Sequence, residues 1–174
     1  MAKVNTNDWR EFEIGDLFDV SRPAGRTSTD YIDGDQPFVA SGNFNNGVSR
    51  WVEPRDGENP EAGNCITVSP LDGAAFYQPV SFLGRGGAGS AILILRNEDL
   101  NLMSGLFVCA VIRRSLQQLS YSDQLSSSSI VTKRIALPVT RGGVPDWSYM
   151  EEYMRKASES ANSRLDSLQG AIAF

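Results

Sequence analysis

The stretch DWSYMEEYMRKASESANSRLDSLQGAI, residues 146–172, carries the clearest structural pattern in the chain. Apolar residues recur in it at steps of four and three, which places them along one side of a helix close to a coiled-coil seam. The stripe consists of Met150, Met154, Ala157, Ala161, Leu165, Leu168 and Ile172. Asp146 and Ser148 both suit a helix N-cap, and Ser148 with Glu151 fits a capping box. The stretch predicts a long C-terminal helix.

An apolar stripe of this length has to be covered. The helix packs either on its own domain or on a second chain, and the pattern alone leaves both open. We therefore divide the chain into a domain over 1–146 and a helical dimerisation or partner-docking segment over 147–174.

The first 146 residues alternate short apolar runs with turn-rich segments, which indicates several short strands. Trp9–Val20 predicts a strand, a turn and a strand, and residues 21–37 predict a loop. Further strands are expected at 37–40, 64–69, 74–77, 91–96 and 130–139, with a serine-rich loop over 121–129. Asn101–Leu119 is apolar on more than one face, which predicts a core helix. The fold class is α+β: a mainly β domain with a core helix, followed by a long C-terminal helix.

The composition excludes several classes of catalytic and metal site. The 174 residues contain no histidine, which excludes serine–histidine and cysteine–histidine catalysis and any zinc site that needs imidazole. Cys65 and Cys109 lie in apolar runs and are expected to be buried thiols rather than metal ligands. No apolar run is long enough to cross a bilayer, and no signal peptide is evident, so we expect a cytoplasmic protein. The net charge of −5 opposes unaided nucleic-acid binding unless basic residues share one face.

Two glycine-containing segments stand out. Residues 84–89, GRGGAG, match the G-x-G-x-x-G pattern, but an apolar strand follows where a dinucleotide site needs a helix. We interpret this segment as a turn with Arg85 at its tip. Residues 41–47, SGNFNNG, place three asparagines and a serine on a glycine-hinged loop, where Asn46-Gly47 predicts a tight turn. Asparagine amides can pair with an adenine edge, although an ordinary hairpin explains the loop equally well.

Several phrases, in this order, resemble the target-recognition domain of type I restriction–modification specificity subunits and of the beta subunit of BcgI-like systems. They are WREFEIGDLFDV (9–20), FVASGNFNNGV (38–48), NCITVS (64–69) with DG (72–73) and AFYQ (75–78), IALPV (135–139) and PDWSYM (145–150). No phrase is specific alone, but their order and spacing extend over nearly the whole chain.

The resemblance implies a non-catalytic subunit that recognises one half of a split site in double-stranded DNA. It would direct an adenine methyltransferase, and in some assemblies a restriction subunit, to that site. No cofactor or metal is expected on this chain, because S-adenosylmethionine would bind to the methyltransferase. The candidate DNA-contacting residues are Ser41, Asn43, Asn45, Asn46, Arg85, Tyr121, Lys133 and Arg134.

The family usually carries two recognition domains and two long helices, whereas this sequence shows one of each. A homodimer joined through the terminal helix would restore the two-fold arrangement and read a palindromic split site. The competing hypothesis is a protein-interaction module, such as a phage or anti-restriction protein, that has the fold but no DNA affinity. Fold does not separate these hypotheses, whereas base contacts do.

Overall fold

The computed structural model describes residues 5–87, 89–117 and 124–172, and these residues contain nine strands and four α-helices. The strands are β1 (Arg10–Glu13), β2 (Asp19–Ser21), β3 (Asp33–Val39), β4 (Val48–Val52), β5 (Cys65–Val68), β6 (Ala75–Gln78), β7 (Leu83–Gly84), β8 (Leu93–Arg96) and β9 (Arg134–Leu137). The helices are α1 (Ile14–Leu17), α2 (Leu102–Ser115), α3 (Ser127–Ile130) and α4 (Trp147–Ile172). Two short 3₁₀ turns cover Ser28–Asp30 and Asn45–Gly47. The α+β class is confirmed.

The strands form three sheets. β2, β8, β5 and β6 make a four-stranded antiparallel sheet in that order, and β4, β3 and β7 make a second sheet in which β3 and β7 run parallel. β1 pairs with β9 to form a separate two-stranded sheet. The main core lies between the four-stranded sheet and the helices, while a smaller cluster around Cys65, Phe82 and Ile92 lies on the sheet's other side.

Helix α2 is held tightly against β6. Asn101 caps its first turn by accepting hydrogen bonds from the backbone N–H groups of Met103 and Ser104, at 3.0 and 3.1 Å. A Cβ atom at Gly105 would lie 2.3 Å from the ring of Tyr77, so only glycine permits this approach. The helix, predicted over 101–119, is confirmed over 102–115, and residues 118–119 lie outside the described part.

Helix α4 begins where Asp146 caps it. The Asp146 carboxylate accepts the backbone N–H of Tyr149 at 2.9 Å, which also places a negative charge at the positive end of the helix dipole. Ser148 lies inside the first turn, so the expectation that it caps the helix in a box with Glu151 is wrong. Glu151 instead accepts a hydrogen bond from the Asn101 amide at 3.0 Å and ties the starts of α2 and α4 together.

The apolar stripe of α4 divides into two parts. Met150 is fully buried and Met154 is half-buried against the domain, so the first turns pack on the chain itself. Ala157 is half-buried and Ala161 is exposed. Leu165 and Leu168 are 56% and 60% exposed, and the side chain of Ile172 lies outside the described set. The chain's own domain therefore covers the start of the stripe, and the positions from Ala161 to Leu168 are exposed.

Some expectations for the β region were wrong in detail. The predicted loop 21–37 contains a 3₁₀ turn and the start of β3, and the serine-rich loop contains α3. The sequence expectation missed β4 because Arg50 occupies an inward-facing position between Val48 and Val52. Its guanidinium is satisfied there by the Ser28 carbonyl at 2.8 Å and the Asp33 carboxylate at 2.6 Å.

Candidate nucleic-acid interface

The loop over residues 41–47, called the asparagine loop below, is held in one conformation by its own backbone. Asn45, Asn46 and Gly47 all have positive φ, at 49°, 54° and 76°, a region that asparagine and glycine tolerate best. The Gly47 N–H donates to the Phe44 carbonyl at 2.9 Å, and the Gly47 carbonyl accepts from Ala40 at 2.9 Å. The tight turn predicted at Asn46-Gly47 is confirmed.

Two of the three asparagine amides hold the loop in place. The Asn45 amide donates to the Val48 carbonyl at 2.9 Å. The Asn46 amide donates to the Tyr77 carbonyl at 3.1 Å and to the Gln78 side-chain oxygen at 3.3 Å. Buried Gln78 donates in return to the Asn46 carbonyl at 3.0 Å. The bonds of Asn46 fasten the loop to the edge strand β6, whereas the bond of Asn45 stays within the turn, and both use amide hydrogens that a base contact would otherwise receive.

Asn43 has a different environment. Its exposed side chain forms no hydrogen bond within the described residues, and it lines a small polar cavity of about 180 Å³. The cavity wall is completed by the Asp72–Ala74 turn and by Arg113 and Gln117 at the end of α2. The Arg113 guanidinium lies 5.0 Å from the ring centre of Phe76 in β6, which fixes its direction by a cation–π contact.

The glycine-rich turn joins the same surface. The Ser41 hydroxyl donates to the Ser90 carbonyl at 2.8 Å, and the Gln124 amide donates to the Gly89 carbonyl at 2.6 Å. We call the combined surface of residues 41–47, 72–74, 85–87, 89–90 and 113–117 the reading face. Tyr121, the remaining loop candidate, lies outside the described residues.

The glycines of the 84–89 segment serve packing. A Cβ atom at Gly84 would lie 2.7 Å from Pro23, and one at Gly86 would lie 1.9 Å from the Ala24 carbonyl oxygen. Strand β8 follows this segment, so the interpretation as a turn rather than a dinucleotide loop is confirmed. Arg85 is half-buried, and its Nη1 atom is enclosed without a hydrogen-bond partner in the described part of the chain.

Most arginines of the three-stranded region have internal partners. Arg26 is buried and bonds to Glu58 at 2.6 Å and Glu61 at 2.5 Å, while the Tyr31 hydroxyl donates to Glu58 at 2.7 Å. Burial alone raises the pKa of Glu58, but the hydrogen bonds from Tyr31 and Arg26 outweigh it and leave that pKa below its usual range. Arg55 lies over the Tyr31 ring at 4.7 Å. These cations stabilise the fold rather than supply free positive charge.

By contrast, no ion pair within the described residues joins Arg22, Arg85 or Arg113 to a carboxylate. Arg85 and Arg113 belong to the reading face, and Arg22 directly precedes the Pro23-Ala24 segment that packs on it. The excess negative charge of the whole chain is thus compatible with a locally positive surface at this end.

Lys133 and Arg134 lie on another part of the molecule. Arg134 is in β9, and its guanidinium lies 3.7 Å from the Glu11 carboxylate and 3.6 Å from the Glu13 carboxylate of β1. Lys133 is half-buried, and its backbone carbonyl accepts a hydrogen bond from the Ile14 N–H at 2.9 Å. Of the eight sequence candidates, the structure brings together Ser41, Asn43, Asn45, Asn46 and Arg85. Sequence reasoning did not connect Arg113 or Gln117 with these residues, because their proximity depends on how α2 packs on β6.

The two cysteines are buried free thiols, as expected. Burial raises the pKa of Cys65 to about 11 and raises that of Cys109 as well. Among the residues described, no group of three or more histidine, cysteine, aspartate or glutamate side chains is arranged to hold a metal ion. No helix in that part of the chain is long and apolar enough to cross a membrane.

The chain is similar to known proteins over nearly all of its length. The chain is 24% identical over 159 residues to the specificity subunit S.BcgI of Heyndrickxia coagulans, a match that covers 90% of this chain and 45% of that protein. The fold is similar to a type I S subunit from M. genitalium, with a TM-score of 0.59, 13% identity and coverage of 95% of this chain and 44% of that one.

The HsdS subunit of Thermoanaerobacter tengcongensis has a TM-score of 0.55 at 14% identity, with 92% of this chain and 40% of that chain covered. This chain therefore spans less than half the length of the relatives it matches. The family model for the type I restriction modification DNA specificity domain matches residues 6–169. The chain belongs to the family of type I restriction–modification DNA specificity domains.

Proposed function

We propose that this chain binds double-stranded DNA sequence-specifically and directs an adenine methyltransferase to a split site. The observation that carries the proposal is the reading face, where Asn43, Arg113 and Gln117 line one cavity beside a loop of fixed geometry. Amides and guanidinium groups are the side chains that recognise adenine and guanine edges in the major groove. The chain itself is non-catalytic, and S-adenosylmethionine binds to the methyltransferase. A restriction subunit joins the same assembly where one is present.

The role of each surface residue follows from its partners. Asn43 and Gln117 contact bases, and Arg113 contacts a base or the adjoining phosphate. Asn45 and Asn46 fix the loop that presents Asn43, with Ser41 holding it to the glycine-rich turn. Arg85 and the more distant Lys133 and Arg134 contribute phosphate contacts that raise affinity without specifying sequence.

The exposed half of α4 supports homodimerisation. The stripe is symmetric about Ala161: Ala157 and Leu165 are four residues away on either side, and Met154 and Leu168 are seven residues away. Two antiparallel copies that cross at Ala161 would therefore align every apolar position with another. A small residue at the crossing point permits close helix approach, and the free part of α4 after Met154 is about 27 Å long at 1.5 Å per residue.

The groove at the base of α4 fits the same arrangement. It has a volume of about 550 Å³ and is lined mainly by apolar groups, including Trp9, Phe107, Tyr153 and Met154. In the antiparallel register the partner's Leu168 lies beside Met154, so the end of the second helix enters this groove. The residues from 147 onward therefore form the dimerisation and docking segment, and the dimer reads a palindromic split site.

The dimer register can be tested with a short bifunctional thiol reagent. Ala161→Cys places one reactive thiol at the proposed crossing point, whereas Ser163→Cys places it on the opposite side of the helix. Cys65 and Cys109 are 0% and 6% exposed and should not react. Crosslinked dimer from Ala161→Cys and monomer from Ser163→Cys are expected. Equal crosslinking, or none in either variant, would contradict the register.

The function is tested by co-purification with adenine-specific DNA methyltransferase subunits of the same organism, followed by mapping of methylated adenines in DNA exposed to the mixture. Methylation at one split motif that disappears when this chain is omitted is the expected result. A protein-interaction module without DNA affinity would instead give no motif and no DNA binding even at low salt.

A further inference from the structure

Phe44 has a prominent position on the asparagine loop. Its side chain is 70% exposed, the largest value among the exposed large apolar residues of the described chain. The ring takes no part in the three hydrophobic clusters of the core. Single exposed apolar residues are common on proteins and by themselves indicate nothing. The conformation of the loop and the polar groups near the ring distinguish Phe44 from such residues.

The phenyl ring is displayed from a backbone of fixed conformation. The Phe44 carbonyl accepts the Gly47 N–H at 2.9 Å, and the next two residues adopt positive φ. Gly42 has a φ of 145°, and a Cβ atom there would lie 3.5 Å from ring atom Cε1, so the ring leans over the glycine. A ligand that contacts the ring therefore has little loop entropy to remove.

The residue that precedes Phe44 supplies a hydrogen-bonding group on the same loop. Asn43 precedes it and lines the cavity shared with Arg113 and Gln117. In the major groove an A·T pair presents hydrogen-bonding atoms on adenine and an apolar C5-methyl group on thymine. Asn43 and Phe44 line different hollows of the asparagine loop, the first with Arg113 and the second with Gly42 and Gly47, and together they offer an amide and a phenyl group for those two features.

We propose that Phe44 is a specificity-determining residue that contacts the C5-methyl group of a thymine in the major groove, next to a base read by Asn43. This inference rests on the proposed DNA-binding function. The ring acts as an apolar contact on the base edge and does not separate stacked bases. The chain accordingly distinguishes thymine from uracil at one position of its site.

The test uses the full chain and duplexes carrying the motif that it enriches from a random library. Each thymine of the motif is replaced in turn by deoxyuridine, which removes only the methyl group. We expect one replacement to weaken binding by about fourfold, the effect of removing one methyl-sized group from contact. Phe44→Ala should bind the thymine and uracil duplexes equally. Phe44→Leu, which keeps an apolar tip, should retain most of the discrimination.

Val144→Ala is the matched control, because Val144 is an exposed apolar residue in the turn before α4 and should leave the fourfold difference unchanged. A motif without thymine, or one in which no deoxyuridine replacement weakens binding, overturns the Phe44 proposal and leaves DNA recognition standing. If Phe44→Ala lowers affinity but keeps the thymine–uracil difference, the proposed contact is also wrong. The absence of any enriched motif overturns the proposed function itself.

Discussion

Asn46 should contribute more to stability than an exposed loop residue ordinarily does. It adopts φ 54° and ψ 26°, and its amide donates to the Tyr77 carbonyl and to the Gln78 side-chain oxygen. Gln78 is only 3% exposed, and its amide nitrogen is already used by Asn46 and Thr67. Replacing Asn46 by alanine would leave the Gln78 oxygen buried without this donor.

Two effects then add in Asn46→Ala. The left-handed region costs a residue with a Cβ atom about 1–2 kcal/mol, and alanine lacks the local side-chain hydrogen bonds by which asparagine offsets part of that cost. Leaving a buried polar atom unsatisfied costs about 1–3 kcal/mol. We therefore expect the free energy of unfolding to fall by about 3 kcal/mol. Asn46→Gly removes the amide but accepts the backbone conformation, so its loss should be smaller by roughly 1 kcal/mol.

Urea denaturation followed by tryptophan fluorescence measures both variants against the parent chain. The comparison of alanine with glycine separates the conformational effect from the hydrogen bonds. Asn43→Ala is the control in the same loop, because its side chain has no hydrogen bond in the described structure and should change stability by less than about 0.5 kcal/mol. A loss below about 1 kcal/mol in Asn46→Ala would refute the anchoring role.

Four further outcomes are expected. The double variant Leu165→Glu, Leu168→Glu should convert the dimer to monomer in light scattering. The control variant Ser163→Glu, Ser167→Glu changes positions away from the stripe and should leave the dimer intact. A dimer that survives the two leucine substitutions would exclude the α4 interface. Because the pKa of Glu58 is lowered in the folded protein, ionised Glu58 stabilises the fold above the unfolded pKa of 4.5, and this contribution is lost as pH falls through the folded pKa. Glu58→Gln should therefore flatten the acid limb of a curve of unfolding free energy against pH. An unchanged limb would contradict this role of Glu58. Gly86→Ala should destabilise by about 1–3 kcal/mol or more because its Cβ would meet the Ala24 carbonyl at 1.9 Å, whereas Gly142→Ala, with its nearest atom at 3.6 Å, should be neutral in thermal melts. Lys133→Ala should weaken binding to all DNA sequences alike and reduce the slope of log affinity against log salt by about one; a sequence-dependent loss would place Lys133 among the base contacts.

The elements that local pattern specifies were predicted well. The stripe of α4 and the Asn46-Gly47 turn depend on helix periodicity and on positive φ, both of which are properties of neighbouring residues. The choice between Asp146 and Ser148 as the cap was harder, because both side chains suit the position and the pattern does not say where the chain turns.

Long-range features could not be predicted in the same way. Asn46 looks like a free amide in the sequence, and only the packing of the loop on β6 reveals its internal partners. Arg113 and Asn43 line the same cavity because Gly105 lets α2 approach Tyr77, a contact between residues distant in the chain. Strand β4 was not predicted, because Arg50 is a charged residue at an inward position and interrupts the alternation on which strand prediction depends.

The most direct test of DNA reading is selection from a random duplex library with the full chain and its Asn43→Ala variant at low salt. We expect the parent chain to enrich one motif and Asn43→Ala, with its fold intact, to bind DNA but change the preference at one base pair of that motif. Enrichment of no motif by the parent chain, or the identical motif from both proteins, would contradict the assignment of the reading face.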